Sequence, residues 1–383
     1  MDIIFFIDNN LGGVTSLNYN LASHKTIQKV NRYLINIDYF ESNFSRANLN
    51  FPVDKQIEFK FSDRDNYYYT LKRLRSLIPY SEGALILNYY NEMALLDHYN
   101  LKQTTFQLVH DDYNITLSKK YEYLVDVFIC HNTVIYNNLI SLFPHRRESI
   151  FFLPHGVPIV HYSRMPKDNG PLRLVFLGRM TSGKGIFDLP VINDLLRERG
   201  VDFEWLCIGN GPDLEAFKQA WSPADKVQFI SPSSNREVLE LCSQRDVFVL
   251  PTKGEGSPVS LLETMSVGLV PVISRIPGGI TDIVNDEIGF TPEINDNIAF
   301  ADSIARLHFD RDILNSLSNN CRSKIISQFD VRKTASDYFD LFLRYKEFYR
   351  DKKIRKAKVG SRLDQPFIPN KLTKLIRTFF KAK

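Results

Sequence analysis

Short apolar runs alternate with stretches of helical periodicity along nearly the whole chain. In the first half the runs are Asp2–Ile7, Gln56–Phe61, Ala84–Asn88, Phe106–Val109, Val125–Cys130 and Ile150–Leu153. Between them, segments such as Tyr67–Ile78 and Thr133–Leu142 place apolar residues at helical spacing. A second set follows at Leu172–Leu177, Phe203–Ile208, Val227–Ile230, Val247–Leu250 and Val270–Ser274. Strands separated by helices pair in parallel, so the pattern predicts an α/β fold with parallel sheets. Ligands of open parallel sheets bind at the carboxyl ends of the strands, which makes the loops after these runs the places to search.

A chain of 383 residues accommodates about two domains. The break falls at Pro154-His-Gly-Val-Pro158 and the polar stretch Ser163–Pro171, which we read as the linker. The expected domains are 1–160 and 161–329. Asp330–Tyr349 reads as one long helix that can pack back on the first domain, and 351–383 reads as a tail. No apolar run approaches the ~20 residues of a membrane-spanning helix. The opening Met1-Asp2-Ile3 has no basic segment, so no secretory signal is expected. Cys130, Cys207, Cys242 and Cys321 are scattered, with no Cys-x-x-Cys pair, which fits a reduced, cytoplasmic compartment. The net charge of +4 conceals an asymmetry: residues 344–383 hold fourteen Lys and Arg against three Asp and Glu. Such imbalance concerns partners more than fold.

Glu255-Gly-Ser-Pro-Val-Ser-Leu-Leu-Glu263 holds the densest chemical information. Ser257 reads as an N-cap and Pro258 as the first helical residue. The amides of Val259 and Ser260, backed by the helix dipole, would then favour a group with two negative charges. Glu263 lies roughly 9 Å further along the axis, the right reach for a carboxylate gripping a vicinal diol. Anion, diol and a second polar group at Glu255 together suggest a nucleotide-sugar site. Gly178-Arg-Met-Thr-Ser-Gly-Lys184-Gly185 offers two cations, Arg179 and Lys184, after a strand; alone it reads equally as a Gly-rich turn with solvated charges. Gly209-Asn-Gly211-Pro212 and Gly12-Gly13 are either structural turns or places of close backbone approach. Asp111-Asp112 and Asp63-Arg-Asp65 read as solvated loop acids, and no metal is expected.

Taken in order, these residues resemble the family 4 (group 1) glycosyltransferases. The likeness runs from Gly12-Gly13 through Gly178-Arg179, Lys184-Gly185, Gly209-Asn-Gly-Pro212, Glu255 to Glu263 and on to Gly278-Gly279 and Gly289-Phe290, and is near-continuous from about Leu172 to Phe290. It implies the GT-B architecture, two Rossmann-like domains facing across a deep cleft, with the donor held mainly by the second. It implies that Arg179 and Lys184 neutralise the diphosphate and that Glu263 holds the ribose hydroxyls. Glu255 would contact the transferred sugar, aided by amides from Gly256 and Ser257 to Ser260. His110 would touch the donor sugar, and a loop histidine at a strand end is its plainer reading. The resemblance further implies retention at the anomeric carbon and a metal-free reaction, with a nucleotide-diphosphate sugar as donor and no cofactor. His155 reads as a linker residue. Ser231 stands where the family usually has glycine, and Asp282 where it usually has glutamate.

The expected activity is transfer of a sugar to a glycan or lipid-linked acceptor in cell-surface polysaccharide synthesis. A nucleotide-sugar epimerase and a non-catalytic nucleotide-sugar-binding subunit are the alternatives. No nucleic-acid partner is expected, because the basic tail has few aromatics interleaved for base stacking and no nucleic-acid-binding fold precedes it. Instead, Lys352–Lys358 reads as a basic cluster on a continuing helix. Leu372, Leu375, Ile376, Phe379 and Phe380 then recur at helical spacing among Lys371, Lys374, Arg377 and Lys381. That pattern suits attachment to an anionic membrane; packing of the same face on the first domain is the alternative.

Overall fold

The computed structural model describes residues 1–8, 12–24, 29–40, 50–167, 169–221, 227–232, 234–356 and 359–381. The chain forms two units: Met1–Cys130 with Ile135–Leu153 and Ala335–Lys383, and His131–Val134 with Pro154–Thr334.

The first unit is built on a parallel sheet of β1 (Asp2–Asp8), β2 (Asn31–Tyr39), β3 (Lys55–Phe61), β4 (Gly83–Leu87), β5 (Thr104–Val109), β6 (Val127–Cys130) and β7 (Ile150–Phe152), in the order β3-β2-β1-β4-β5-β6-β7. Helices α1 (Gly13–Ala22), α2 (Tyr67–Ser76), α3 (Tyr90–His98), α4 (Asp112–Tyr121) and α5 (Thr133–Leu142) follow successive strands. Residues of β1, β4, β5 and β6 are buried along almost their whole length, as strands covered on both faces must be. The sequence reading omitted β2. Its Asn36 and Asp38 break the apolar run, and both turn out to pair with the neighbouring edge strand. Asn36 Nδ2 donates to Glu58 at 3.0 Å, and Lys60 Nζ lies 3.9 Å from Asp38.

The second unit repeats the plan with β8 (Leu172–Leu177), β9 (Phe203–Ile208), β10 (Val227–Ile230), β11 (Val247–Leu250) and β12 (Val270–Ile273), all parallel, in the order β10-β9-β8-β11-β12. Around it lie α6 (Asp188–Glu198), α7 (Leu214–Ala220), α8 (Asn235–Ser243), α9 (Val259–Ser266), α10 (Asn297–Phe309) and α11 (Arg311–Gln328). Phe176, Trp205, Phe248 and Leu262 are fully or almost fully buried in its core. Burial also raises all four thiols, that of Cys130 to about 12, so the cysteines serve as small apolar residues.

Several expected boundaries move. The stretch around Ser163 is no free linker, since Arg164 is part of the second unit. Its amide donates to Val267 O at 2.6 Å, and its guanidinium meets Asp246 at 2.8 Å. The helix expected over Asp330–Tyr349 is two pieces, α12 (Val331–Leu343) and α13 (Tyr345–Phe348). Beyond Phe348, residues 349–356 are not helical, against the expected continuing helix. In this stretch the Lys352 ammonium lies 2.6 Å from Asp126 and over the Tyr349 ring. Helix α14 (Asn370–Lys381) ends the described chain.

Asp246 is the polar anchor of the second unit. Arg173 reaches both its oxygens at 2.7 Å, and Arg164 holds one, with the three side chains at most 8% exposed. Burial alone would raise this carboxyl, yet hydrogen bonding to Arg173 and both guanidinium charges hold it below the ordinary range. Its contribution is therefore complete above the ordinary carboxylate range and is lost only as pH falls through its lowered pKa. Asp246→Ala would strand two buried cations, so we expect a loss of about 3–5 kcal/mol. Urea unfolding followed by tryptophan fluorescence checks this, because Trp205 and Trp221 both report on the second unit.

Candidate functional site

Each sheet has one place where the strand order reverses, and there the loops on either side diverge and leave a crevice. In the second sheet that place is between β8 and β11. The loop after β8 carries Arg179 and Lys184; the loop after β11 carries Glu255. Lys184 Nζ and Glu255 Oε1 form a close ion pair across the switch point. Glu255 exposes only 8% of its side chain and Lys184 30%. A carboxylate so little exposed needs this cation nearby.

Backbone contacts stitch three loops together around the pair. Lys253 N donates to Gly183 O at 2.9 Å, Met180 N to Asn210 O at 2.9 Å, and Ser182 N to Asp213 Oδ2 at 2.8 Å. Glycine is required at the crossings. Gly185 has φ +70°, and a Cβ there would lie 1.9 Å from Pro251 O. At Gly209 and Gly211 a Cβ would strike the backbone of Gly178 and Met180. These two glycines therefore first serve loop packing, the plainer of their two readings. Ser231 is accommodated in the same weave, its hydroxyl donating to Gly209 O at 3.1 Å.

Helix α9 begins one residue later than the sequence suggested. Pro258 is the N-cap, extended at ψ 108°, and its carbonyl accepts from Leu261 N at 3.1 Å. No side chain caps the helix, so Ser257 does not act as the cap. Val259 and Ser260 supply the first helical amides, which have no acceptor within the helix. Glu263, on the second turn, is 8% exposed and accepts from Asn235 Nδ2 at 2.9 Å. Burial raises its pKa to about 7, with the Asn235 hydrogen bond opposing the rise. Asn235 is thus a partner the sequence reading missed; its position directly after the Ser234 cap of α8 was the available signal.

Another missed contributor is the segment His131–Val134, which belongs to the second unit. Asn132 Nδ2 donates to Gly256 O at 2.7 Å, fixing the Glu255 loop. Thr133 gives Asp282 both its amide and its hydroxyl, each at 2.8 Å. Asp282 thus has a local task that its shorter side chain performs. His155, read as a linker residue, lies in this unit with its ring centroid 4.1 Å from that of His131.

In the first unit the order reverses between β1 and β4. Gly12, Gly13 and His110 belong here; the other candidates belong to the second unit. Gly13 opens α1, while Asn9, Asn10 and Leu11 fall outside the described residues. His110 is 8% exposed, with Nε2 2.9 Å from Asn88 Oδ1. Asn88 uses its Nδ2 to donate to Phe6 O, so its oxygen can only accept and Nε2 carries the proton. Asp111 is the side-chain cap of α4 and Asp112 its first residue, and both are exposed, as the sequence suggested. Asp65, by contrast, is not solvated: it is 5% exposed and pairs with Lys374 at 2.9 Å.

Two further acids flank this switch point, neither singled out by the sequence. Asp8 ends β1, and Glu92 lies in the first turn of α3 after β4. Burial raises Asp8 to about 7; burial, and then the charge of Asp8, raises Glu92 to about 8. One Glu92 oxygen accepts from Tyr89 N at 2.9 Å, and the other has no hydrogen-bond partner among the described residues. A carboxyl pKa raised on folding contributes stability that is complete below about 4.5 and lost as pH rises through about 8. Glu92→Gln keeps the cap and cannot ionise. Calorimetry should find the variant and wild type alike at acid pH and the variant more stable at alkaline pH.

Residues 163–324 match the family model of the glycosyl transferases group 1. A UDP-Gal:alpha-D-GlcNAc-diphosphoundecaprenol alpha-1,3-galactosyltransferase of Escherichia coli is 36% identical over 107 residues, 28% of this chain and 27% of that protein. The putative colanic acid biosynthesis glycosyltransferase WcaL of Escherichia coli K12 is 30% identical over 197 residues, 48% of each. The matches thus span half or less of these curated relatives. Among solved structures, a sucrose-phosphate synthase of Thermosynechococcus elongatus superposes with a TM-score of 0.72 at 15% identity, over 90% of this chain and 99% of that one. That likeness shows the fold, two parallel-sheet α/β units.

Proposed function

We propose that this chain, whose residues 163–324 match the family model of the glycosyl transferases group 1, transfers a sugar from a nucleotide-diphosphate sugar to a glycan or lipid-linked acceptor during cell-surface polysaccharide synthesis. The observation that carries the reading is the Lys184–Glu255 pair at the switch point, with the start of α9 and Glu263 on the same element. The polysaccharide setting rests on relatives named for colanic acid, amylovoran and capsule synthesis.

In the donor-free chain, Glu255 occupies the Lys184 ammonium. A diphosphate carries more charge and accepts bonds from several donors at once, so it competes for Lys184 and releases Glu255 toward the sugar. Arg179 adds a second cation, and the first amides of α9 add dipole and donors. Glu263 accepts from the ribose hydroxyls, held in place by Asn235. The acceptor hydroxyl attacks the anomeric carbon on the face the leaving group departs from. The bond to the diphosphate breaks, and the departing phosphate takes the proton, so configuration is retained. His110 orients the hexose or steadies positive charge on its ring. In this reading the two cations and the helix start meet the leaving group's charge without a divalent ion.

Release of nucleotide from UDP-, GDP- and ADP-sugars, with acceptor present, tests the proposal. Turnover of one class is expected; interconversion of donor sugars without transfer would favour an epimerase, and tight binding without turnover a donor-binding subunit. Glu263→Ala should raise donor KM, because the ribose does not change during reaction, while Glu255→Ala should lower kcat. Donor KM should also rise as pH falls through about 7, where Glu263 gains a proton and loses acceptor capacity. Glu263→Gln should lack that rise. Wild-type behaviour in all variants would remove the site assignment. Activity should survive EDTA; inhibition reversed by Mg²⁺ would overturn the metal-free route.

A further inference from the structure

Helix α14 is fastened to the first unit by its polar side. Asn370 Oδ1 accepts from Asn66 N at 2.7 Å, and its Nδ2 donates to Asp65 at 3.0 Å. Thr373 is fully buried, and Arg377 donates to Asp364 at 2.7 Å, Ser361 Oγ at 2.8 Å and Asp63 O at 3.0 Å. Asp364 in turn accepts from Tyr67 N at 2.6 Å, and Asn66 caps the start of α2. The tail is therefore locked in register to the first turn of α2.

With the polar side committed to the body, the apolar side faces away from it. Leu372, Leu375, Phe379 and Phe380 are 46%, 69%, 64% and 72% exposed. They follow one another at i, i+3, i+7 and i+8, which forms a single stripe about two turns long. The sequence left open whether this face packs on the first domain; it does not. Water is a poor solvent for two adjacent phenyl rings and two leucines on one face.

The charges of the tail, with Lys371 beside the stripe, indicate what covers it. Lys353, Lys356, Arg362 and Lys371 are exposed and take part in no ion pair among the described residues. Lys371 borders the stripe directly, one helical turn before Leu375. Two copies of this helix meeting face to face would bring identical cationic rims together. An anionic lipid surface instead presents opposite charge to the rim and an apolar layer to the stripe. No helix among the described residues is long and apolar enough to cross a membrane, so the contact would lie in the headgroup layer.

We propose that α14 is a lipid-docking helix, inserting Leu372, Leu375, Phe379 and Phe380 into an anionic bilayer while Asn370, Thr373 and Arg377 hold it to the first unit. Because docking orientation is set by the body rather than by a flexible tether, the first unit meets the bilayer in one pose. This inference rests on the tail alone and is independent of the activity proposed above.

Flotation of the full chain with phosphatidylcholine vesicles, with and without phosphatidylglycerol, provides the test. Binding is expected only with phosphatidylglycerol and should weaken at high salt. Leu375→Glu with Phe379→Glu should lower the bound fraction at least about tenfold, without changing thermal unfolding, since both side chains are exposed. Light scattering on the same proteins covers the other occupant. A dimer that the double variant disperses, with no vesicle binding by wild type, would assign the stripe to a second copy and overturn the proposal. Vesicle binding that the double variant retains would overturn it equally, by placing the contact elsewhere.

Discussion

The second unit is organised around the contact between Lys184 and Glu255. Each comes from a loop on a different side of the point where the sheet reverses, and the Glu255 side chain is little exposed. Two loops of unequal length meet there only because their backbones also meet. Lys253 bonds Gly183, Gly185 lets Pro251 approach, and Asn132 fixes Gly256. The ion pair therefore holds a little-exposed acid near a helix start, and in the proposed function a stronger anion replaces it. Under the proposed reading, the two cations, the first amides of α9 and Glu263 then meet a donor in sequence along one edge of one sheet.

The first unit repeats the geometry with different chemistry. Its switch point carries Asp8, Asn88, Glu92 and His110, a hydrogen-bonding set with no lysine or arginine among them. Carboxyls raised by burial suit hydroxyl groups better than phosphates. The contrast between a cationic edge in one unit and a carboxyl-rich edge in the other follows from the same parallel topology. Strands fix where the loops emerge, and the residues that follow decide what each edge can hold.

The fold class was legible because the short apolar runs recur regularly between helical stretches, as strands buried on both faces do. β2 escaped because Asn36 and Asp38 interrupt its run, and only the neighbouring Glu58 and Lys60 explain them. Glu255, Glu263, Arg179 and Lys184 could be read from motif spacing, since each lies close to a strand or helix boundary. Asn132 and Glu92 could not be read that way, and for Asn235 the Ser234 cap beside it marked a helix start but not its partner. They act through contacts between segments far apart in sequence, and nothing local distinguishes an asparagine that holds a loop from one that faces water. Asp65 makes the same point in reverse: its partner Lys374 lies more than three hundred residues away. The apolar stripe of α14 was visible as periodicity, while the side that faces the body depended on Arg377 finding Asp364.

The exchange of Lys184 from Glu255 to a diphosphate is the central claim, and calorimetric binding of free nucleoside diphosphates tests it most directly. Such a ligand has no sugar for Glu255 to hold, so in this account Glu255 only competes with it. Glu255→Gln should tighten binding of the preferred diphosphate by several-fold, roughly the weight of one charge-assisted hydrogen bond partly returned. The same substitution in a Lys184→Met background should change nothing. Unchanged or weaker binding by Glu255→Gln, or an equal gain without Lys184, would contradict the exchange.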